Sequence, residues 1–407
     1  MLHDLAAELK SQIWTWAENL ILELAVYNDK KVLLVTNDLG PRAGGIETFV
    51  LGLVEGLPKN SLVIYTSSQK GDEAFDLELL AKFGAVVIRD RAKILLPTPR
   101  ISRRAARILK QYQIKNVWFG AAAPLGLMAN QLRKAGATNI VALSHGHEVW
   151  WARIPILRGL LKKTIKEVDH LGYLGDFTKS KISKISGAED KFVQIAPGID
   201  TVHFSPRSAN PELIKKYKLE GRRVIVCVSR LVHRKGQDQL IKAMPKVLEK
   251  YPDAILLLVG EGPIKQMLFN SAKQLGLLPK VIFTGRVNHK DLPEYFCLGE
   301  VFAMPVRSRF AGLEVEGLGI VYLEASACGL PVIVGNSGGA VDAVKDRVTG
   351  LIVDGNDTQM IADSICQVLA EPVKAKSIGQ SGRKWVLDNW QLSSWSKKFN
   401  DLLISNQ

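Results

Sequence analysis

The stretch RVIVCVSRLVHRKGQDQLIKAMPKVLEKYPDAILLLV, residues 223–259, decides the fold. RVIVCV (223–228) and AILLLV (254–259) are too uniformly apolar for strands with one wet face. They suit strands buried on both faces of a parallel sheet. Between them QDQLIKAMPKVLEKY (237–251) has the length and amphipathic pattern of a helix. Strand, helix and strand in that order form a βαβ unit. The turn SRLVHRKGQD (229–238) holds Arg230, Arg234 and Lys235 with no acid before Asp238. Like charges this close repel unless an anion lies among them, and a guanidinium beside an ammonium suits a diphosphate. A solvated basic loop is the plainer reading of the same residues.

The pattern repeats outward in both directions. KVLLVT (31–36), SLVIYT (61–66), AVVI (85–88), NVWF (116–119), NIVALS (139–144) and HLGYL (170–174) precede it; KVIFT (280–284), VFAMP (301–305), PVIV (331–334) and GLIV (350–353) follow. At 407 residues the chain exceeds what one hydrophobic core usually supports. The expectation is an α/β protein of two doubly wound, Rossmann-like domains. The join falls near PGIDTVHFSPRSANPE (197–212), which has three prolines and no periodicity. The expected partition is a first domain over 31–205 and a second over 206–384. A terminal helix over about 385–407, anchored by Trp385, Trp390 and Trp395, packs back on the first domain. Residues 1–30 are expected to add an amphipathic helix, because Leu2, Leu5, Leu9, Ile13, Trp16, Leu20 and Leu24 recur at helical spacing.

Composition narrows the class. Hydrophobic residues at 47% and charged residues at 23% are ordinary globular values, against disorder. No apolar run reaches the roughly 20 residues that span a bilayer. Asp4 and Glu8 stand where a signal peptide would be basic, and none of the four cysteines forms a C-x-x-C pair, so a reduced, cytoplasmic protein is expected. The net charge of +14 attracts nucleic acid, anionic lipid or phosphorylated small molecules. The basic clusters lack the interleaved aromatics of a nucleic-acid platform, so nucleic acid ranks lowest.

In open α/β sheets ligands bind beyond the carboxyl ends of strands, so chemistry is sought there. NDLGPRAGGIETF (37–49) is glycine-rich and then helical, and Gly44 and Gly45 could receive an anion; a tight turn is the simpler alternative. HGHEVWW (145–151) sets His145 and His147 at a strand end; the two lack further ligands at metal spacing, and a polar substrate suits them better. In EVEGLGIVYLEASACGLPVIVGNSGG (314–339), Glu316 precedes a helix and Glu324 lies more than one turn inside it. They do not share a helical face but could grip two parts of one elongated ligand.

Arg230 and Lys235 with four residues between them, followed by Glu316 and Glu324 with seven between, resemble the retaining glycosyltransferases of the GT-B fold, family 4. PGIDTVHFSP, VGEGP (259–263), FTGRV (283–287) and TGLIVDG (349–355) are similar to the same family, from about residue 31 onward. NDLGPRAGGIE, SHGHEVWW and EVEGLGIVYLEASACGLPVI resemble its actinobacterial GDP-mannose-dependent phosphatidylinositol mannosyltransferases.

The resemblance implies the GT-B architecture, two domains facing a central cleft. It implies that Arg230 and Lys235 grip the diphosphate and stabilise the leaving group. Glu316 would read sugar hydroxyls beside the backbone of Gly317, Leu318 and Gly319, and Glu324 the ribose. Val287 would meet the base, Gly45 would border the diphosphate and acceptor, and His145, or second to it His147, would approach the donor sugar. It further implies no cofactor and no metal, with GDP-mannose as donor, an anionic phospholipid as acceptor and peripheral contact with the inner membrane face. Another nucleotide sugar or a soluble acceptor is the alternative. PRISRRAARILKQY (99–112) and RIPILRGLLKKTIK (153–166) are basic and amphipathic, as a lipid-facing surface would be. Outer helices packing an apolar stripe on the sheet explain the apolar positions but not so many arginines without acids.

Overall fold

The computed structural model describes residues 30–41, 44–146 and 148–404. The helix expected over 1–30 and His147 therefore lie outside the described residues, Lys30 apart.

Two parallel sheets carry the fold. The first contains β1 (Val32–Thr36), β2 (Leu62–Ser67), β3 (Val86–Asp90), β4 (Asn116–Phe119), β5 (Asn139–Leu143), β6 (His170–Tyr173) and β7 (Phe192–Gln194), in the order β3-β2-β1-β4-β5-β6-β7. The second contains β8 (Arg223–Val228), β9 (Ala254–Val259), β10 (Val281–Gly285), β11 (Val301–Met304), β12 (Val332–Gly335) and β13 (Gly350–Val353), in the order β10-β9-β8-β11-β12-β13. Helices cover both faces, so side chains of either parity are buried. Along β1, Val32 and Leu34 enter one apolar core while Leu33 and Val35 enter the other. That double burial is why these strands read as continuous apolar runs.

β7 went unseen in the sequence. It is three residues long at the sheet edge, and only Phe192 is buried. The terminal segment also differs from expectation. Residues 385–404 are not one helix but the end of Pro372–Asn389 and the whole of Leu392–Ile404. A spacing of five turns a helix by about 500°, so three tryptophans so spaced cannot share one face. The chain breaks at Trp390, where Gln391 bridges Ile199, and the rings then meet in sequence, Trp385–Trp390 at 6.3 Å and Trp390–Trp395 at 6.2 Å. Leu392–Ile404 lies against the first sheet: Phe399 packs on Trp118 at 4.6 Å, and the Asn139 amide donates to the carbonyls of Leu402 and Leu403. Among the described residues no helix is long and apolar enough to cross a membrane.

Strand order reverses between β1 and β4 in the first sheet and between β8 and β11 in the second. At such switch points adjacent loops diverge and leave a crevice. The loops after β1, β4 and β5 and those after β8 and β11 supply the candidate site.

Candidate active site

The loop after β8 ends in a short turn, His233–Lys235, and then the helix Gln237–Lys250. Gly236 makes the transition with φ 76°, and a Cβ there would lie 2.0 Å from the Pro305 carbonyl oxygen. Only glycine allows this approach, which brings the loop after β11 against Lys235. More bonds hold the two loops together. The Arg307 N–H donates to the Arg234 carbonyl at 2.9 Å, and the Arg307 guanidinium reaches Asp238, also at 2.9 Å.

Lys235 and Glu316 meet inside this frame. Their charged groups approach to 2.9 Å, and both residues are more than nine-tenths buried. Arg234 lies 3.6 Å from the same Glu316 oxygen and also pairs with Glu314 at 3.4 Å. Burial pushes the Glu316 carboxyl up, but Lys235 and Arg234 outweigh it and hold the group below the ordinary carboxylate value. Glu316 Oε2 thus meets both cations, though neither is aligned on it as a hydrogen-bond donor.

The basic loop is therefore not free of acids, as its local sequence implied. Its counter-ions come from a loop some 80 residues later. Arg234 and Lys235 turn inward to them, whereas Arg230 is exposed and makes no ion pair among the described residues.

Across the cleft, the loop after β5 presents His145. Its Nε2 lies against the Gly120 carbonyl, which can only accept, so Nε2 carries the proton. Its ring packs edge-on to Phe49 at 5.6 Å, and its backbone N–H donates to Glu148 at 3.0 Å. The two domains touch beside it. A Cβ on Gly317 would lie 2.6 Å from the His145 carbonyl oxygen, and one on Gly146 would lie 3.1 Å from the Gly317 Cα. Two glycines thus let His145 and Glu316 share one wall.

Gly317, Leu318 and Gly319 lead into the helix Ile320–Ala327, whose Tyr322 hydroxyl donates to the Met304 carbonyl at 2.6 Å and ties the helix to β11. Glu324 is buried within that helix. It receives a contact of 3.2 Å from His289, four residues past β10, which sequence reasoning did not single out. A lone histidine in a polar loop gives no local signal. Val287 packs against the core of the second domain. Gly45 opens the helix Gly45–Val54 after β1, is exposed, and has open space where a side chain would be. Lys235, Glu316, Gly317 and His145 thus converge, while Glu324 sits with exposed His289 elsewhere in the second domain.

The arrangement can hold an anion over Arg230 and Lys235, read hydroxyls with two buried carboxylates, and exclude water where the domains touch. Two family models cover most of the chain: "Glycosyltransferase Family 4" matches residues 43–203 and "Glycosyl transferases group 1" matches 209–385. The GDP-mannose-dependent alpha-(1-6)-phosphatidylinositol monomannoside mannosyltransferase of Mycolicibacterium smegmatis is 42% identical over 374 residues, 91% of this chain and 98% of that protein. The GDP-mannose-dependent monoacylated alpha-(1-6)-phosphatidylinositol monomannoside mannosyltransferase of Corynebacterium glutamicum is 39% identical over 379 residues, 92% of this chain and 98% of that one. In structure, Anabaena HepE bound to UDP superposes with a TM-score of 0.76 at 17% identity, covering 92% of this chain and all of that one. The chain belongs to the family 4, group 1 glycosyltransferases of GT-B architecture, the family that includes these GDP-mannose-dependent mannosyltransferases.

Proposed function

We propose that the chain transfers an α-mannosyl residue from GDP-mannose to a phosphatidylinositol mannoside-type lipid at the cytoplasmic face of the membrane, retaining configuration and using no metal ion. One observation carries the reading most: the buried Lys235–Glu316 pair at 2.9 Å, walled by the Gly146–Gly317 contact beside His145. The activities of the relatives, named above, support the donor and acceptor.

In this mechanism the bond from the sugar's anomeric carbon to the diphosphate oxygen breaks first. Arg230 and Lys235 meet the charge that develops on that oxygen. Glu316 and the backbone from Gly317 to Gly319 hold the sugar hydroxyls, and Glu324 holds the ribose. The acceptor hydroxyl attacks from the face the diphosphate leaves, and its proton passes to the departing phosphate oxygen. Retention then needs no carboxylate nucleophile, unlike retaining glycosidases. His145, locked by Gly120 and Phe49, borders the oxocarbenium-like sugar.

A thermal-shift panel of GDP, UDP and ADP, each free and as its sugar, tests the donor. GDP-mannose should stabilise most; a larger shift with a uridine or adenosine compound overturns the donor. The same panel and a turnover assay with EDTA should be unchanged, and loss of activity would overturn the metal-free route.

A further inference from the structure

The domains meet a second time, one strand further along each sheet. The loop after β6 passes through Gly175 into the helix Asp176–Ser186, and the loop after β12 turns through Gly338–Ala343. The Asp342 carboxylate crosses between them and accepts from the Phe177 N–H at 3.0 Å. That N–H is one of the helix's open N-terminal donors, where negative charge is favoured. Gly175 admits the carboxylate, because a Cβ there would lie 2.4 Å from Asp342 Oδ2.

Asp342 is half-buried, and no cation pairs with it among the described residues. Burial raises its carboxyl above the ordinary value; the Phe177 N–H lowers it in part, and Asp176 raises it again. A carboxylate so placed costs the fold stability. Its hydrogen-bond donor lies on the other domain. The turn that carries it is tied to the reacting centre. The Gly339 N–H donates to the Glu316 carbonyl at 2.8 Å. Cβ atoms on Gly338 and Gly339 would lie 2.2 Å and 2.0 Å from the carbonyl oxygens of Glu316 and Gly317. On the first domain, Leu174 precedes Gly175 and its Cδ1 would lie 3.5 Å from a Cβ on Gly317. Backbone packed this closely has no slack, so a shift at Asp342 moves Glu316 and Gly317 with it.

We propose that Asp342 is a positioning residue for the transfer: by holding the start of helix Asp176–Ser186 it sets how far the domains close, and so where Glu316 stands relative to His145. It acts through Glu316, and the inference rests on the reading of the site given above. Asp342→Leu keeps the volume and removes the acceptor; Asp342→Asn keeps an acceptor and removes the charge. With GDP-mannose and phosphatidylinositol mannoside vesicles, Asp342→Leu should lower kcat about tenfold or more, as a small misplacement does, with GDP affinity unchanged by calorimetry. Its melting temperature should not fall, since an unpaired carboxylate is gone. Asp342→Asn should recover most of the rate, and Gly175→Ala, which crowds the carboxylate, should reproduce the loss. Unchanged kcat in Asp342→Leu or Gly175→Ala, no rescue by Asn, or a joint fall of melting temperature and GDP affinity overturns the assignment. Small-angle X-ray scattering with GDP reads closure without turnover: Asp342→Leu should have the larger radius of gyration, and an equal radius overturns the latch. If that radius grows while wild type transfers no mannose, the functional reading fails and the latch stands.

Discussion

At the scale of single residues, the Lys235–Glu316 pair is the most consequential contact. Removing one partner of a buried pair strands the other, which costs about 3–5 kcal/mol in comparable cases. Lys235→Ala should therefore lower the melting temperature as well as cut turnover by about 100-fold or more, the usual loss when charge stabilisation at a leaving group is removed. Glu316→Gln should lower turnover strongly while GDP still binds, measured by calorimetry beside steady-state rates. Equal loss of both would reject the division between sugar-reading and phosphate-gripping groups. His289 gives a pH signature. Its contact with Glu324 holds the imidazole pKa above the ordinary value, outweighing burial, which lowers it. Charged His289 therefore contributes stability that is complete below pH about 6.5 and fades as pH rises through the raised value. Melting temperature should fall over that range more in wild type than in His289→Gln; parallel curves would contradict the pairing.

At the scale of elements, the contact between the domains beside His145 is set by glycines. Gly317→Ala puts a methyl 2.6 Å from a backbone oxygen that cannot rotate away. The domains must separate there, so turnover should drop at least tenfold, as misplacement by a fraction of an ångström does, with the fold retained by circular dichroism. Unchanged turnover would mean that this contact does not set the reacting geometry. The helix Pro99–Gln111 teaches a different lesson. In sequence its arginines lacked acids, which pointed to a lipid surface. The acid was Asp90, ten residues upstream at the end of β3, and it absorbs Arg100 and Arg104. Burial alone would raise the Asp90 carboxyl, yet the Arg100 guanidinium, the Ala92 N–H and the Tyr65 hydroxyl hold it well below the carboxylate range. Asp90→Asn should cost about 1.5–3 kcal/mol in denaturant unfolding, because Arg100 and Arg104 keep solvent when their acceptor goes, and no change would show that the cluster is not coupled. The outward face of the helix keeps Arg103, Arg107 and Lys110 exposed, so the basic surface is smaller than its sequence suggested.

At the scale of the whole molecule, the strands and their parallel order were legible because burial on both sheet faces writes itself as apolar runs. The spacing of Arg230, Lys235, Glu316 and Glu324 was legible through its resemblance to a known family, the first two following β8 and the last two flanking the start of helix Ile320–Ala327. Three-dimensional pairing was not. Arg234 with Glu314, His289 with Glu324, and Asp90 with two arginines join residues that only the fold brings together. Nor could apolar periodicity alone reveal the break at Trp390, because it depends on a backbone bridge to Ile199. The most direct measurement of the central assignment is transfer itself. The full chain is incubated with GDP-[14C]mannose and vesicles containing a phosphatidylinositol mannoside, and the lipid extract is separated and digested with an α-mannosidase. Radiolabel should enter the lipid and be released by the α-specific enzyme. Label that appears only as free mannose, or a lipid product resistant to the α-mannosidase, would contradict it.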